Sequence, residues 1–188
     1  MKTEIEKAKQ YFKTECFDLF NTWDGFFWIG GGCLRDFFLE KRSSGVDIDL
    51  FFNSKSDAKS AKDLLVSLGF KKIGVTLTHW KVKRQDLIFD LCYSYSSPEE
   101  WISSVDYTIC AAALDSNLTF YHNEHYFKDL KEKKLRRMHQ TNRWVAQMAF
   151  RLKKFLEYGF EIDKENLIKF LDDLEKTRLY RLKLKNVK

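Results

Sequence analysis

An apolar run, Phe26 to Ile29, leads into three consecutive glycines, Gly30, Gly31 and Gly32. One short stretch later the chain reads Val46-Asp47-Ile48-Asp49-Leu50. The second segment constrains the fold more than any other. Acid and hydrophobe alternate with the period of a strand that buries one face. Asp47 and Asp49, two residues apart, therefore leave the strand on the same side. Their Cα atoms lie about 6.5–7 Å apart. Carboxylates held that close repel each other, and a divalent cation between them removes the repulsion. Magnesium suits such a place, because it takes oxygen ligands and shares its sphere with substrate phosphates.

The glycines supply a second part. An apolar strand, a glycine turn and a helix start, expected over Cys33 to Glu40, place bare backbone N–H groups beside the acids. A helix N-terminus favours a phosphate, and residues without side chains let it approach closely. A phosphate cradle and a metal-holding acidic strand are what phosphoryl or nucleotidyl transfer needs. The ions neutralise the triphosphate and stabilise the leaving group.

The remaining pattern predicts an α+β protein. A helix is expected over Lys2 to Phe20 and another over Lys55 to Leu68, stopped by Gly69. Strands are expected at Phe26 to Ile29, Val46 to Phe52, Lys71 to Val75, Thr78 to Lys83 and Asp86 to Tyr93. Pro98 opens a short helix, Glu99 to Ser104. Tyr107 to Leu114 and Leu118 to Tyr121 read as a strand pair turning through Asp115, Ser116 and Asn117. Helices are expected over Gln140 to Tyr158 and Lys164 to Arg178, separated at Gly159. The expected division is a mixed sheet flanked by helices over residues 1–138, then a helical region with a basic tail over 139–188.

Charge and cysteine bound the function classes. The 188 residues carry a net charge of +6, which suits a polyanionic partner such as RNA. The basic run Lys128, Lys131, Lys133, Lys134, Arg136 and Arg137, and the later Arg178, Arg181, Lys183, Lys185 and Lys188, have two readings. They track an acceptor backbone, or they are the solvated faces of helices. Trp80, Trp101 and Trp144 likewise stack on a base or belong to the core. Cys16, Cys33, Cys92 and Cys110 lack zinc-knuckle spacing and read as core thiols of a reducing, cytoplasmic compartment. The four histidines show no ligand spacing. Met1 to Lys9 is charged, so no secretory leader is expected. No apolar run reaches the length of a membrane span.

Gly31, Gly32, Arg35, Asp36, Asp47 and Asp49 resemble the signature of the tRNA CCA-adding enzyme and bacterial poly(A) polymerase family, within the DNA polymerase β-like nucleotidyltransferases. That pattern is Gly-Gly-x-x-Arg-Asp, then Asp-x-Asp on a strand. Val105-Asp106-Tyr107-Thr108-Ile109-Cys110-Ala111 is similar to a further family segment, with Cys110 where the family has Asn. Weaker echoes follow at Asp129-Leu130, Leu135-Arg136 and Tyr158 to Asp163. The resemblance covers most of residues 26 to 163. It implies two Mg²⁺ ions, an NTP substrate such as ATP, and an RNA 3′ end as acceptor, in tRNA or poly(A)-type addition.

The resemblance implies a third carboxylate from a later strand. Asp90, in the middle of Leu87-Ile88-Phe89-Asp90-Leu91, is the first choice, because a charge within an apolar run needs compensation. Asp86 has the same strand parity, and Asp106 is a further alternative. Arg35 is expected to contact the triphosphate, with Asp36 fixing the loop. Asp106, Arg143 and Arg151 are expected near the nucleotide. The family's longer body and tail, which hold acceptor RNA, have no counterpart in the pattern after the neck helix. A protein or small-molecule acceptor therefore stands as an alternative, as does a catalytically inactive nucleic-acid-binding module. The base added and the oligomeric state are open.

Overall fold

Seven strands form one mixed sheet in the order β3-β4-β5-β2-β1-β6-β7. The strands are β1 (Phe27–Gly30), β2 (Asp47–Phe52), β3 (Lys71–Val75), β4 (His79–Arg84), β5 (Leu87–Cys92), β6 (Ala112–Asp115) and β7 (Phe120–His122). This computed structural model describes residues 2–41, 47–138 and 145–185. The chain divides into two units, Met1–Ile102 with Cys110–Asn123, and Ser103–Ile109 with Glu124–Lys188. The expected α+β class, with helices flanking a mixed sheet, is what the structure shows.

The first unit holds the sheet with helices α1 (Lys2–Glu15), α2 (Phe17–Thr22), α3 (Gly32–Phe38) and α4 (Lys55–Ser67), and it includes Trp101 of α5 (Pro98–Ser104). Within this sheet the β2–β5 pair is parallel, and the other strand pairs are antiparallel. Parallel neighbours need a crossover connection. Here it runs through α4 and the β3–β4 hairpin. Ser54 caps α4, its Oγ accepting from Asp57 N at 3.1 Å, and Gly69 leaves the helix at φ +93°.

Alternation along the central strands sorts their side chains into two faces. Ile48, Leu50 and Phe52 of β2 and Phe89 and Leu91 of β5 are buried. Phe20 packs edge-on to Phe27, Trp23 edge-on to Phe52, and Phe70 stacks on Phe89. On the other face Trp28 stacks on Phe51 at 5.6 Å between centroids, and Trp101 packs on Phe51 at 5.1 Å. Both faces are therefore apolar toward the β1 side, and the polar remainder of the second face belongs to β2, β4 and β5.

The second unit contains α6 (Tyr126–Lys131), α7 (Val145–Glu157) and α8 (Lys164–Lys185). Buried ion pairs organise it. Arg151 meets Asp106 in a two-pronged pair at 2.6 and 2.8 Å. Arg137 pairs with Asp173 and donates to the Asp106 carbonyl at 3.2 Å. Asp129 accepts from Thr108 Oγ1 at 2.6 Å and Arg136 Nε at 3.0 Å.

Some elements differ from expectation. The first helix is two, broken at Cys16, whose ψ of 27° departs from helical geometry. No strand begins at Tyr107: Thr108–Cys110 is a 3₁₀ turn, and β6 starts at Ala112. Thr108 and Asp106 are committed to the polar contacts of the second unit, and that overrides the apolar alternation of this stretch. The α6 helix has no long apolar period to announce it, and α8 runs beyond Arg178 to Lys185.

Candidate active site

The β2–β5 register builds a carboxylate face. Asp49 stands opposite Asp90, and Asp47 opposite Ile88. Residues opposite each other in a pair share a face, so Asp47, Asp49 and Asp90 project to one side. Burial along β2 agrees. Asp47 is exposed and Asp49 half-buried, while Ile48 and Leu50 are buried on the reverse. The Asp90 side chain is 17% exposed, and its Oδ1 is buried without a hydrogen-bond partner.

The glycine turn abuts the same acids. Gly30 pairs with Asp49 across the β1–β2 ladder. Gly31 takes φ +79° and ψ −133° just before α3, a region that side chains resist. A Cβ there would stand 3.3 Å from Asp49 Oδ2 and 3.5 Å from the Trp101 ring. Bare backbone therefore runs beside the Asp49 carboxylate, with no room for a side chain between them.

Lysine supplies the cation on this face. Lys81 of β4 pairs in register with Asp90. Its Nζ lies 3.0 Å from Asp90 Oδ2 and 3.8 Å from Asp47 Oδ1. Burial works against its charge, but the hydrogen bond to Asp90 and the charges of Asp90, Asp47 and Asp49 raise its pKa above the ordinary value. His79, also on β4, places Nε2 3.9 Å from Asp90 Oδ1, and its Nδ1 meets Thr76 Oγ1 at 2.8 Å. Neither residue stands out in sequence. Lys81 is one of several lysines in a polar hairpin, and only the β4–β5 register singles it out.

The donor set fits a hard divalent cation. It offers carboxylate oxygens, one of them buried and unsatisfied, in a place where an ammonium already lies among them. The carboxylates are spread along the face. Among the described residues, no three or more His, Cys, Asp or Glu side chains are grouped closely enough as they stand to hold one metal ion together.

The other expected residues are distributed as follows. Arg35 is buried, and its guanidinium is held two-pronged by Asp36 at 2.8 and 2.9 Å. Its Nη1 also reaches Cys110 Sγ at 3.4 Å. The Gly32 Cα carries no side chain beneath it, and a Cβ there would lie 3.3 Å from Arg35 Nη2. Asp86 lies in the exposed turn between β4 and β5. Asp106 and Arg151 belong to the second unit, locked to each other, with Asp106 fully buried. Arg143 and Trp144 lie outside the described residues.

Some of the remaining sequence signals are accounted for by packing and ion pairing, while the side chains of the basic tail from Arg178 onward lie outside the described ones. Trp101 is buried against Phe51. Trp80 is half-buried, beside Tyr93 and beneath Lys62. In the basic run, Lys134 pairs with Asp163, Arg136 with Asp129 and Arg137 with Asp173. All four cysteines are free thiols. Burial, with the charge of Asp49 next, pushes the Cys33 thiol up, and the same two causes push up Cys92. No described helix is long and apolar enough to cross a membrane.

A family profile described as Gabija anti-defense 2 family protein matches residues 4–133. No curated protein matches the sequence. Among solved structures, the chain is similar to the Thermotoga maritima CCA-adding enzyme complexed with tRNA, with a TM-score of 0.68 and 20% identity over 93% of this chain and 44% of that one. It is similar to a CCA-adding enzyme in complex with CTP, with a TM-score of 0.65 and 17% identity over 95% of this chain and 47% of that one. A tRNA nucleotidyltransferase complexed with a primer tRNA and an incoming ATP analog gives a TM-score of 0.61 and 22% identity over 82% of this chain and 48% of that one. Likeness at these identities shows the fold, which is that of nucleotidyltransferases. The chain spans less than half the length of each of these structures. The motif resemblance to CCA-adding enzymes thus holds at the level of fold, while the family profile is a different one.

Proposed function

The chain belongs to the Gabija anti-defense 2 family, and we propose that it is a metal-dependent nucleotidyltransferase that moves a nucleoside monophosphate from an NTP to an RNA 3′ end. One observation carries this reading. Asp49 and Asp90 are in register on parallel strands, Asp47 shares their face, and the Gly31 turn lies against Asp49. The fold is shared with proteins solved with tRNA, CTP and an ATP analog, which supports an NTP and an RNA as substrates.

In this reading Asp47, Asp49 and Asp90 would hold Mg²⁺, two ions in the working enzyme. Bound there, the metal supplies Lewis acidity, neutralising the triphosphate and the departing pyrophosphate. Gly31 and Gly32 give the phosphates room beside Asp49. The acceptor hydroxyl oxygen bonds to the α-phosphorus as the bond from that phosphorus to the α–β bridging oxygen breaks. Pyrophosphate leaves with that electron pair. The hydroxyl proton passes to Asp90, whose Oδ1 has an unused acceptor position. Arg35 and Asp36, gripping each other, brace the turn. Asp106 and Arg151 brace the helical unit in the same way.

The family's description favours a second acceptor. An anti-defense protein acts against defence machinery, so a polypeptide of that machinery is the alternative target for the same transfer. One experiment separates the two. Purified protein is incubated with Mg²⁺, each α-labelled NTP in turn, total RNA and a bacterial protein extract, beside an Asp47→Asn/Asp49→Asn control. Label in RNA with wild type alone supports the first reading and names the base. Label in protein moves the acceptor. Label that persists in the double variant sinks the assignment of these aspartates.

A further inference from the structure

Lys81 is built into the carboxylate face. It stands opposite Asp90 in the β4–β5 ladder, so its side chain must project with that carboxylate. The ammonium then spans two acids, Asp90 Oδ2 at 3.0 Å and Asp47 Oδ1 at 3.8 Å. Only 30% of the side chain is exposed, which distinguishes it from a lysine trailing in solvent. Arg35 is held by Asp36, and His79 turns one ring nitrogen to Thr76.

We propose that Lys81 is an internal counter-ion that competes with the divalent metal for the Asp47–Asp90 edge of the site, and so sets how tightly the ion is held. This rests on the reading of Asp47, Asp49 and Asp90 as the metal-holding set. Three carboxylates on one face repel, and one ammonium offsets part of that charge before any ion arrives. An entering ion then meets a like charge on the acids it needs. The ammonium lies at Asp90 Oδ2 and Asp47 Oδ1, while Asp90 Oδ1 has no hydrogen-bond partner. Asp90 Oδ2 and Asp47 Oδ1 become full ligands only as the ammonium withdraws. Because Lys81 sits on β4, between β3 and β5, withdrawal is a side-chain movement and leaves the ladder intact. Lys81 is thus a positioning residue, acting through the acids and not on the substrate.

The test is titration calorimetry of the full chain with Mn²⁺ alone, comparing wild type with Lys81→Met, Lys81→Gln, Lys81→Arg and Asp49→Asn. Circular dichroism confirms that each variant is folded. Lys81→Gln keeps a hydrogen bond to Asp90 without the charge, and it serves if Lys81→Met does not fold. Removing the competing charge is expected to tighten Mn²⁺ binding about tenfold. Lys81→Arg should bind as wild type does. A folded Lys81→Met or Lys81→Gln that binds Mn²⁺ no better than wild type overturns the inference, and leaves the carboxylate assignment standing if Asp49→Asn abolishes binding. Absence of Mn²⁺ binding in wild type and the neutral variants alike, or binding indifferent to Asp49→Asn, overturns the carboxylate assignment itself and the role of Lys81 with it.

Discussion

Gly31 holds a backbone conformation that leaves Asp49 Oδ2 3.3 Å from the point where a Cβ would stand. The turn is shaped around that carboxylate, and two separate penalties guard it. The φ of +79° with ψ −133° strains any L side chain, at about 1–3 kcal/mol. The added methyl also crowds Asp49 Oδ2. Gly31→Ala should therefore melt at a lower temperature and lose nucleotidyl transfer even at temperatures where it stays folded. Thermal melting and label incorporation on the same preparation check both.

Asp90 and Asp86 differ in which of them the proposed site would use. They share strand parity, but Asp86 is exposed in the hairpin turn while Asp90 faces Lys81 and lies opposite Asp49. Asp90→Asn should lower the rate of transfer roughly 10²–10⁴-fold. Asp86→Asn should leave it within about twofold, as for a surface substitution away from any special contact. Steady-state rates for the two variants decide it.

Arg151 and Asp106 make the clearest stability prediction. Asp106 is fully buried, and Arg151 holds its carboxylate in a two-pronged pair. Arg151→Ala takes a two-pronged charged partner from a buried carboxylate, a change that costs up to about 3–5 kcal/mol in comparable sites. Arg151 is itself partly exposed, so water reaches one side of the pair and the lower end is expected. Urea denaturation of the single and double variants checks it, with Arg151→Ala/Asp106→Asn recovering part of the loss.

Asp163 gives a pH signature. Its carboxylate accepts from the Asn166 backbone N–H at 2.9 Å, from Lys134 Nζ at 2.9 Å and from the Asn166 side chain at 2.8 Å. These hold its pKa well below the ordinary carboxylate range, the Asn166 backbone bond first. A depressed folded-state value means stability that is complete above the unfolded value, about 3.9, and shrinks as pH falls below it. Asp163→Asn should flatten the slope of unfolding free energy between about pH 5 and pH 2. Denaturant melts across that range measure it.

Much of the first unit can be read from its residues, because its pattern is local. The alternation of β2, the Ser54 cap and Gly69 stop of α4, and the glycine turn before α3 each announce themselves within a few positions. The face shared by Asp47 and Asp49 follows from parity alone. Asp90 was accessible because a charge inside an apolar run is costly. Lys81 was not, since nothing in a hairpin's own sequence says which lysine lies opposite an acid on the next strand. The commitment of Arg35 to Asp36 was hidden for a related reason, because burial on a short helix depends on what packs over it. The 3₁₀ turn at Thr108–Cys110 was hidden by partners at Asp129 and Arg136, distant in sequence.

The parallel pairing of β2 with β5 also dictates when the carboxylate face can come into being. Asp49 and Asp90 become neighbours only after α4 and the β3–β4 hairpin have been threaded between them. Non-local pairings of this kind form slowly, because loop closure must precede the contacts that reward it. A nascent chain emerging from the ribosome therefore displays Asp47 and Asp49 well before it owns their counterpart. Until Cys92 has emerged and β5 has docked, the two aspartates lack both Asp90 and Lys81, and the carboxylate face does not yet exist.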